Sequence, residues 1–243
     1  MLRLAFGRLA AAITALALLG GQPPAVVAAE TYALGTTSPG SFPYTLAAAL
    51  AGVCNKDSDL LRVQPFGTFE QILPLVDSGE LSFALTNVVE VDAIMKAGAV
   101  SAEHLRAVAF LFPFQIGLVV RADSGAVSVA DLKGKRVPEF TTQASFQGNL
   151  KALLANGGLS DEDVERVPLA NFVKEYDAMS QGQLDVILAP PGQPALADVS
   201  QRVGELRFLP IDDSPASMAA MRAISPLVYA TEVKPNPNFI GID

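Results

Sequence analysis

The sequence AVAFLFPFQIGLVVRADSGAVSVADLKGKRV, residues 107–137, decides the fold that we predict for this chain. It contains two apolar runs, residues 107–112 and 115–120, which meet at Pro113 and have the composition of β-strands. Ser128 then caps a short helix over residues 129–132, and a further strand begins at Arg136. This order of elements predicts a crossing between two α/β lobes.

The rest of the chain contains an internal repeat with an offset of 103 residues. Each copy consists of a strand, a capping residue, a helix, a glycine stop and a second strand. These features fall at residues 63–67, Thr68, 69–76, Gly79 and 81–85 in the first copy, and at residues 166–170, Asn171, 172–179, Gly182 and 184–188 in the second. Outside them, the turn and cap at residues 36–41 correspond to those at residues 138–145. We therefore predict an α/β fold of two lobes, each a mostly parallel, doubly wound sheet with helices on both faces.

Residues 1–29 have the pattern of a signal peptide. Arg3 and Arg8 precede an apolar run at residues 9–19, and small side chains occupy residues 27–29. An uncleaved N-terminal anchor is the alternative. Without these residues the chain has 15 basic and 25 acidic side chains and a net charge of −10. Such a charge disfavours a nucleic-acid partner.

Catalytic chemistry has little support in the sequence, which contains a single histidine, His104, and a single cysteine, Cys54. Cys54 lies at helical spacing from Leu46 and Leu50, which predicts a buried core thiol. No zinc-ligand spacing and no phosphate-loop lysine motif is present. We predict a protein without enzymatic activity and without a cofactor; a hydrolase or transferase on the same two-lobed frame is the alternative.

The predicted ligand site lies where strands of the two lobes end, because ligands of open parallel sheets bind beyond the carboxyl ends of the strands. The candidate ligand-binding residues are Thr36, Thr37, Ser41, Thr68, Asn87, Glu139, Thr141, Thr142, Ser145, Pro191 and Gly192. Hydroxyl groups and helix N-termini favour a small anion or carboxylate. Helix capping alone also explains several of these residues. Glu139 adds a negative charge that would repel a carboxylate or pair with an ammonium group.

The run Ser-x-x-Asp-Leu-Lys-Gly-Lys-x-Val at residues 128–137 resembles type II periplasmic binding proteins. With the turn at residues 36–41, GTFE at 67–70, SGELSFAL at 78–85, QGQLD at 181–185 and residues 207–211, the chain resembles the TAXI receptors of TRAP transporters. The resemblance implies a monomeric periplasmic receptor that passes a small carboxylate or amino acid to the membrane subunits of a TRAP transporter. The chain departs from the family pattern at Pro39 and Phe42, at residues 112–114 and at residues 139–140, so the family's ligand does not transfer directly.

The expected organisation is a signal peptide at residues 1–29, lobe 1 at 30–118, lobe 2 at 119–228 and the start of a return segment at 229–243. The resemblance implies further helices after this segment, so the chain looks short at its C-terminus and lobe 1 is expected to expose an apolar face. Two other functions remain open for the same fold. They are a receptor of an ABC transporter and a ligand-sensing partner of a membrane signalling protein.

Overall fold

The computed structural model describes residues 31–101 and 103–242, so the predicted signal peptide lies outside the described residues. The described strands are β1 (Tyr32–Thr36), β2 (Leu61–Pro65), β3 (Phe83–Ala84), β4 (Gly117–Arg121), β5 (Arg136–Phe140), β6 (Glu165–Leu169), β7 (Val186–Ala189) and β8 (Leu206–Phe208). The described α-helices are α1 (Phe42–Cys54), α2 (Phe69–Asp77), α3 (Val88–Lys96), α4 (Ala144–Asn156), α5 (Lys174–Ser180), α6 (Ala195–Val203) and α7 (Pro215–Ile224).

The first three strands form a parallel sheet in the order β2-β1-β3. Leu34 in the central strand is in register with Val63 on one side and with Phe83 on the other. Helix α2 packs closely on this sheet, because a Cβ placed on Gly35 would lie 2.7 Å from Ile72 Cγ2. The sheet thus depends on a glycine in its central strand.

The second part of the chain repeats this arrangement. Strands β5 and β6 are parallel, and Asp185 N donates to Arg136 O over 3.0 Å, which places β7 on the other side of β5. The ladders of the structure place β5 and β6 in a two-stranded sheet and β7 in a sheet with β4 and β8, and this bond beside β7 is the counterpart of the contact between β1 and β3. Both helix stops, Gly79 and Gly182, have positive φ angles of 82° and 70°. The order of strands and helices predicted for the repeat is therefore confirmed.

Strand β4 departs from the predicted parallel pattern. It lies between β7 and β8 and runs antiparallel to both, with Val119 opposite Ile187 and Phe208. The predicted strand at residues 115–120 is confirmed, shifted to Gly117–Arg121.

The other predicted strand in the opening stretch, residues 107–112, is wrong. These residues have no regular secondary structure, and the side chains of Val108 and Phe110 are 78% and 77% exposed. A strand needs a neighbour that accepts its backbone hydrogen bonds. One edge of the first sheet is β3, which is only two residues long and offers little backbone for a further strand.

The hydrophobic core is continuous between the two sheets. One cluster contains Leu73 and Ile94 from the first part of the chain together with Leu118 and Leu150 from the second. A smaller cluster lies between β4 and β7 on one side and α5 and α6 on the other. Helix α3 packs against α4, so the two parts meet through apolar side chains as well as through their loops.

The prediction that Cys54 is buried is wrong, because this residue is exposed at the end of α1. The apolar side chains at helical spacing from it, Leu46 and Leu50, border a large cavity with Cys54 itself. Helical spacing correctly placed Leu46, Leu50 and Cys54 on one face of α1. No other part of the described chain covers this face, so Cys54 stays exposed.

The last residues run beside β8. Gly241 O accepts a hydrogen bond from Phe208 N at 2.8 Å. The ring of Phe239 lies against Gly192, where an added Cβ would be 2.9 Å from the ring. The proposed domain limits at residues 30–118, 119–228 and 229–243 stay a prediction.

Candidate functional site

The turn after β1 forms a buried group of hydroxyls. Thr36, Thr37 and Ser41 are fully buried, and the hydroxyl oxygens of Thr37 and Ser41 lie 2.8 Å apart. Ser41 also caps α1 as predicted, because its Oγ accepts from Tyr44 N at 3.1 Å. The Oγ1 of Thr36 has no hydrogen-bond partner among the described residues. This end of the first sheet therefore holds polar groups out of solvent.

Thr68 and Asn87 lie at the starts of the next two helices. Gly67 N donates to Gln71 Oε1 at 2.9 Å beside Thr68, which is the N-cap of α2. Asn87 Oδ1 accepts from Val89 N at 3.0 Å and from Glu90 N at 3.1 Å. Capping accounts for the side-chain oxygen of Asn87, and its remaining amide group borders the large cavity.

The residues that follow β5 make contacts within their own sheet. Thr141 and Thr142 are exposed, and their hydroxyls donate to Leu169 O at 3.2 Å and Ala170 O at 2.6 Å. Glu139 pairs with Arg166, with Oε1 and Nη1 2.8 Å apart. The charge of Glu139 is therefore already balanced, which removes the reason for assigning it to a ligand ammonium group.

Ser145 is buried at the start of α4, but it is not the N-cap that the sequence predicts. The helix begins at Ala144, and Gln143 is the capping residue. The side chain of Gln143 instead accepts from Phe172 N at 2.7 Å, which ties the start of α4 to the loop after β6. Ser145 lies in the first helical turn and faces Glu90 of α3. It is thus placed between the two parts of the chain.

The loop after β7 brings the two parts together. Pro191 and Gly192 are half-buried, and the next residue, Gln193, is 2% exposed. Gln193 Nε2 donates to Gly40 O at 3.0 Å, in the turn between β1 and α1. Its Oε1 has no hydrogen-bond partner among the described residues. Gln193 is not among the residues predicted from the sequence, since a glutamine after a turn carries no local signal for burial.

Glu90 is the second residue that sequence reasoning missed. It is 1% exposed in the first turn of α3, and neither carboxyl oxygen has a hydrogen-bond partner among the described residues. Burial raises the pKa of Glu90 from 4.5 to about 7, although the nearby Ser145 hydroxyl acts in the opposite direction. A glutamate three residues after an N-cap asparagine normally indicates a solvated first turn, so no local pattern distinguishes Glu90 as a buried residue.

The large cavity has a volume of about 2150 Å³. It is bordered by apolar side chains of the first sheet and α1, by residues 104–117 and by Phe146 of α4. The rings of Phe42 and Phe112 meet edge to face at its border, 5.8 Å apart. Small-molecule sites are usually of about 300–1,000 Å³. Its size and apolar lining therefore indicate an uncovered core face, whereas the buried polar groups lie at the strand ends.

The described residues offer neither a metal site nor a membrane-spanning helix. In residues 31–101 and 103–242, no three His, Cys, Asp or Glu side chains are close enough together to hold a metal ion. His104 is exposed, and its Nδ1 lies 3.2 Å from Asp77 Oδ1. No helix of the described part is both long enough and apolar enough to cross a membrane.

The arrangement of the strands and the turns is that of a type II periplasmic binding protein. An ancestral arginine-binding protein bound to arginine superimposes with a TM-score of 0.53 at 18% identity, over 82% of this chain and 94% of that one. The periplasmic aliphatic sulphonate binding protein SsuA from Escherichia coli aligns with a TM-score of 0.49 at 19% identity. The alignment covers 75% of this chain and 57% of that one. The alkanesulfonate-binding protein SsuA from Xanthomonas axonopodis pv. citri, bound to MOPS, aligns over 79% of this chain and 62% of that one, at 18% identity and a TM-score of 0.48.

Residues 34–236 match the NMT1-like family, and the chain belongs to this family. The chain spans less than two thirds of the length of the two sulfonate-binding proteins. Comparison with curated proteins gave no match. The family that the comparison identified is thus the NMT1-like family and not the TAXI receptors, which the sequence resembles.

Proposed function

We propose that this protein is a periplasmic solute-binding receptor that holds a small solute between the two sheets. The observation that carries the proposal is the contact between Gln193 and Gly40, which joins the strand ends of the two parts of the chain. Buried polar atoms without partners lie at these strand ends, at Thr36, Glu90 and Gln193. Buried polar groups are normally hydrogen-bonded, so such a group of atoms favours a polar occupant.

The solute class is a small amino acid or organic acid. A protein of this fold is bound to arginine, which makes amino acids the first solutes to test, and the fold places ligands between the lobes at the ends of the strands. The candidate residues that remain best placed are Thr36, Thr37, Ser41, Asn87, Ser145, Pro191 and Gly192, with Gln193 added. We assign four other candidates no direct contact with the solute. Thr68 is the N-cap of α2, Glu139 pairs with Arg166, and the hydroxyls of Thr141 and Thr142 donate to backbone oxygens after β6.

The transporter partner is the permease of an ABC system. This alternative is favoured over the TRAP subunits implied by the TAXI resemblance, since the chain matches the NMT1-like family. Residues 1–29 would direct export to the periplasm. Genes beside the coding sequence test the assignment: a neighbouring ATPase and permease support the ABC partner, and neighbouring TRAP subunits contradict it.

A thermal-shift screen of the purified protein against amino acids, organic acids and sulfonates tests solute binding. Binding to the native state alone raises the melting temperature, by an amount that grows with solute concentration. We expect Gln193→Ala to abolish the shift and Thr141→Val, a change at an exposed hydroxyl bonded within its own sheet, to preserve it. A screen without any stabilising solute, or a shift unaffected by Gln193→Ala, would contradict the proposal.

A further inference from the structure

The carboxyl group of Glu90 is unusual because it is buried at the contact between the two parts of the chain without a positive partner. It is 1% exposed, and both of its oxygens lack hydrogen bonds to the described residues. An unpaired buried charge is costly, and proteins normally pair it or keep it neutral. Packing of an apolar helix face does not require a glutamate at this position.

The groups around Glu90 come from three helices. Asn87 on its own helix and Ser145 at the start of α4 are the polar neighbours, and Glu70 at the start of α2 adds a like charge. Helices α2 and α4 both pack against α3. No lysine or arginine is among the groups that shift the proton equilibrium of Glu90 in the described structure. The named neighbours of Glu90 are thus two neutral polar side chains and one acidic side chain.

Such a site discriminates by the sign of charge. A positive group next to Glu90 would gain an ion pair in a poorly solvated environment, whereas an anionic group would meet two carboxyls. The start of α4 can hold the acidic group of a solute, because the first-turn amides of this 13-residue helix have no partners within the helix. Ser145 joins the two features, so an acidic group and an amine of one solute can be held side by side.

We propose that the solute carries a protonated amine or guanidinium group and that Glu90 is the residue that selects for it. This inference rests on the proposed function, since it assigns the chemistry of a solute held at the same strand ends. It makes Glu90 a specificity-determining residue, while Gln193 and the turn after β1 contribute polar contacts that solutes without an amine can also use.

The proton equilibrium of Glu90 gives the selection a measurable signature. Since its pKa is raised to about 7, the carboxyl changes from mostly protonated at pH 6 to mostly ionised at pH 8. A solute that binds the ionised form should therefore bind about tenfold more tightly at pH 8 than at pH 6. A solute without an amine should lack this increase.

The experiment uses calorimetry and thermal shift with matched pairs of probes that differ in the basic group: 4-guanidinobutanoate and butanoate, 3-aminopropionate and propionate, 2-aminoethanesulfonate and ethanesulfonate. We expect stabilisation by the basic member of at least one pair, with an affinity that rises about tenfold from pH 6 to pH 8. In Glu90→Gln, a change of similar size, that affinity should fall at pH 8 by at least about tenfold. In Glu205→Gln, at an exposed position, it should be unchanged.

Three outcomes would overturn the inference. If the members without a basic group bind as well as their partners, and Gln193→Ala abolishes their binding, the receptor function stands and the selection by Glu90 is wrong. If the basic member keeps its full affinity in Glu90→Gln, or shows no pH dependence in the unchanged protein, the role of Glu90 is wrong. If no probe of any pair binds, the inference and the proposed function both lose their support.

Discussion

At the scale of single residues, the protein contrasts two kinds of acidic side chain. Asp131 accepts hydrogen bonds from Val127 N and Ser128 N, which lower its pKa. Glu90 is buried, and this burial outweighs the nearby Ser145 and Asn87 side chains and raises its pKa to about 7. Both follow helix-capping residues in the sequence. Their local patterns are alike, and only their surroundings in the folded chain separate them.

Glu90 makes stability depend on pH. The folded chain holds its proton up to about pH 7, and the unfolded chain releases it near pH 4.5. The contribution of Glu90 to stability is complete below pH 4.5 and is lost as pH rises to about 7. We expect the free energy of unfolding to fall between pH 5 and pH 8 by about 2–3 kcal/mol more in the unchanged protein than in Glu90→Gln.

Urea unfolding at the two pH values measures this difference, with Glu205→Gln as the control that should behave like the unchanged protein. Parallel pH profiles for the unchanged protein and Glu90→Gln would show that Glu90 titrates normally.

At the scale of elements, the fit between β1 and α2 depends on Gly35. A Cβ at this position would lie 2.7 Å from Ile72 Cγ2 and 2.9 Å from Leu81 Cδ1, both from buried side chains. We expect Gly35→Ala to lower the free energy of unfolding by about 1–3 kcal/mol, because the added methyl group overpacks the core.

Gly52 is the matched control, since nothing lies within 4 Å of a Cβ placed there in α1. Gly52→Ala should raise the free energy of unfolding by about 0.5–1 kcal/mol, through the lower helix propensity of glycine. Chemical denaturation of both variants provides the measurement. Equal effects of the two substitutions would show that β1 and α2 are less closely packed than described.

Capping of α3 gives a second prediction at this scale. Asn87 Oδ1 accepts from two backbone amides, so Asn87→Ala should cost about 1 kcal/mol of stability. Asn87→Ser should restore most of it, since serine is also a good capping residue. Thermal unfolding of the two variants provides the comparison, and an Ala variant as stable as the Ser variant would argue against this cap.

At the scale of the whole molecule, the surface carries a continuous apolar segment. Val108, Phe110, Leu111 and Phe112 are exposed beside the large cavity. Exposed apolar patches of this kind bind hydrophobic molecules and promote association. The sequence predicts that lobe 1 exposes an apolar face, and the described residues have such a face.

A fluorescent hydrophobic dye tests the accessibility of this segment. We expect strong dye binding by the folded protein and a clear decrease in the double variant Val108→Ser, Phe110→Ser. Val127→Ser, a change at a 61% exposed valine away from the segment, should leave the dye signal unchanged. Equal signals from all three proteins would show that the dye binds elsewhere.

The sequence by itself determined the order of elements, the internal repeat and the α/β class, because caps, glycine stops and apolar periodicity are local features. It located Ser41 at a helix start for the same reason. Only the tertiary structure decided that β4 is antiparallel, that residues 107–112 find no strand to pair with, and that Glu90 and Gln193 are buried. These features depend on which distant segments of the chain meet. The free energy of burying a carboxyl, or of leaving a strand unpaired, is set by the segments that pack against it and not by its neighbours in the sequence.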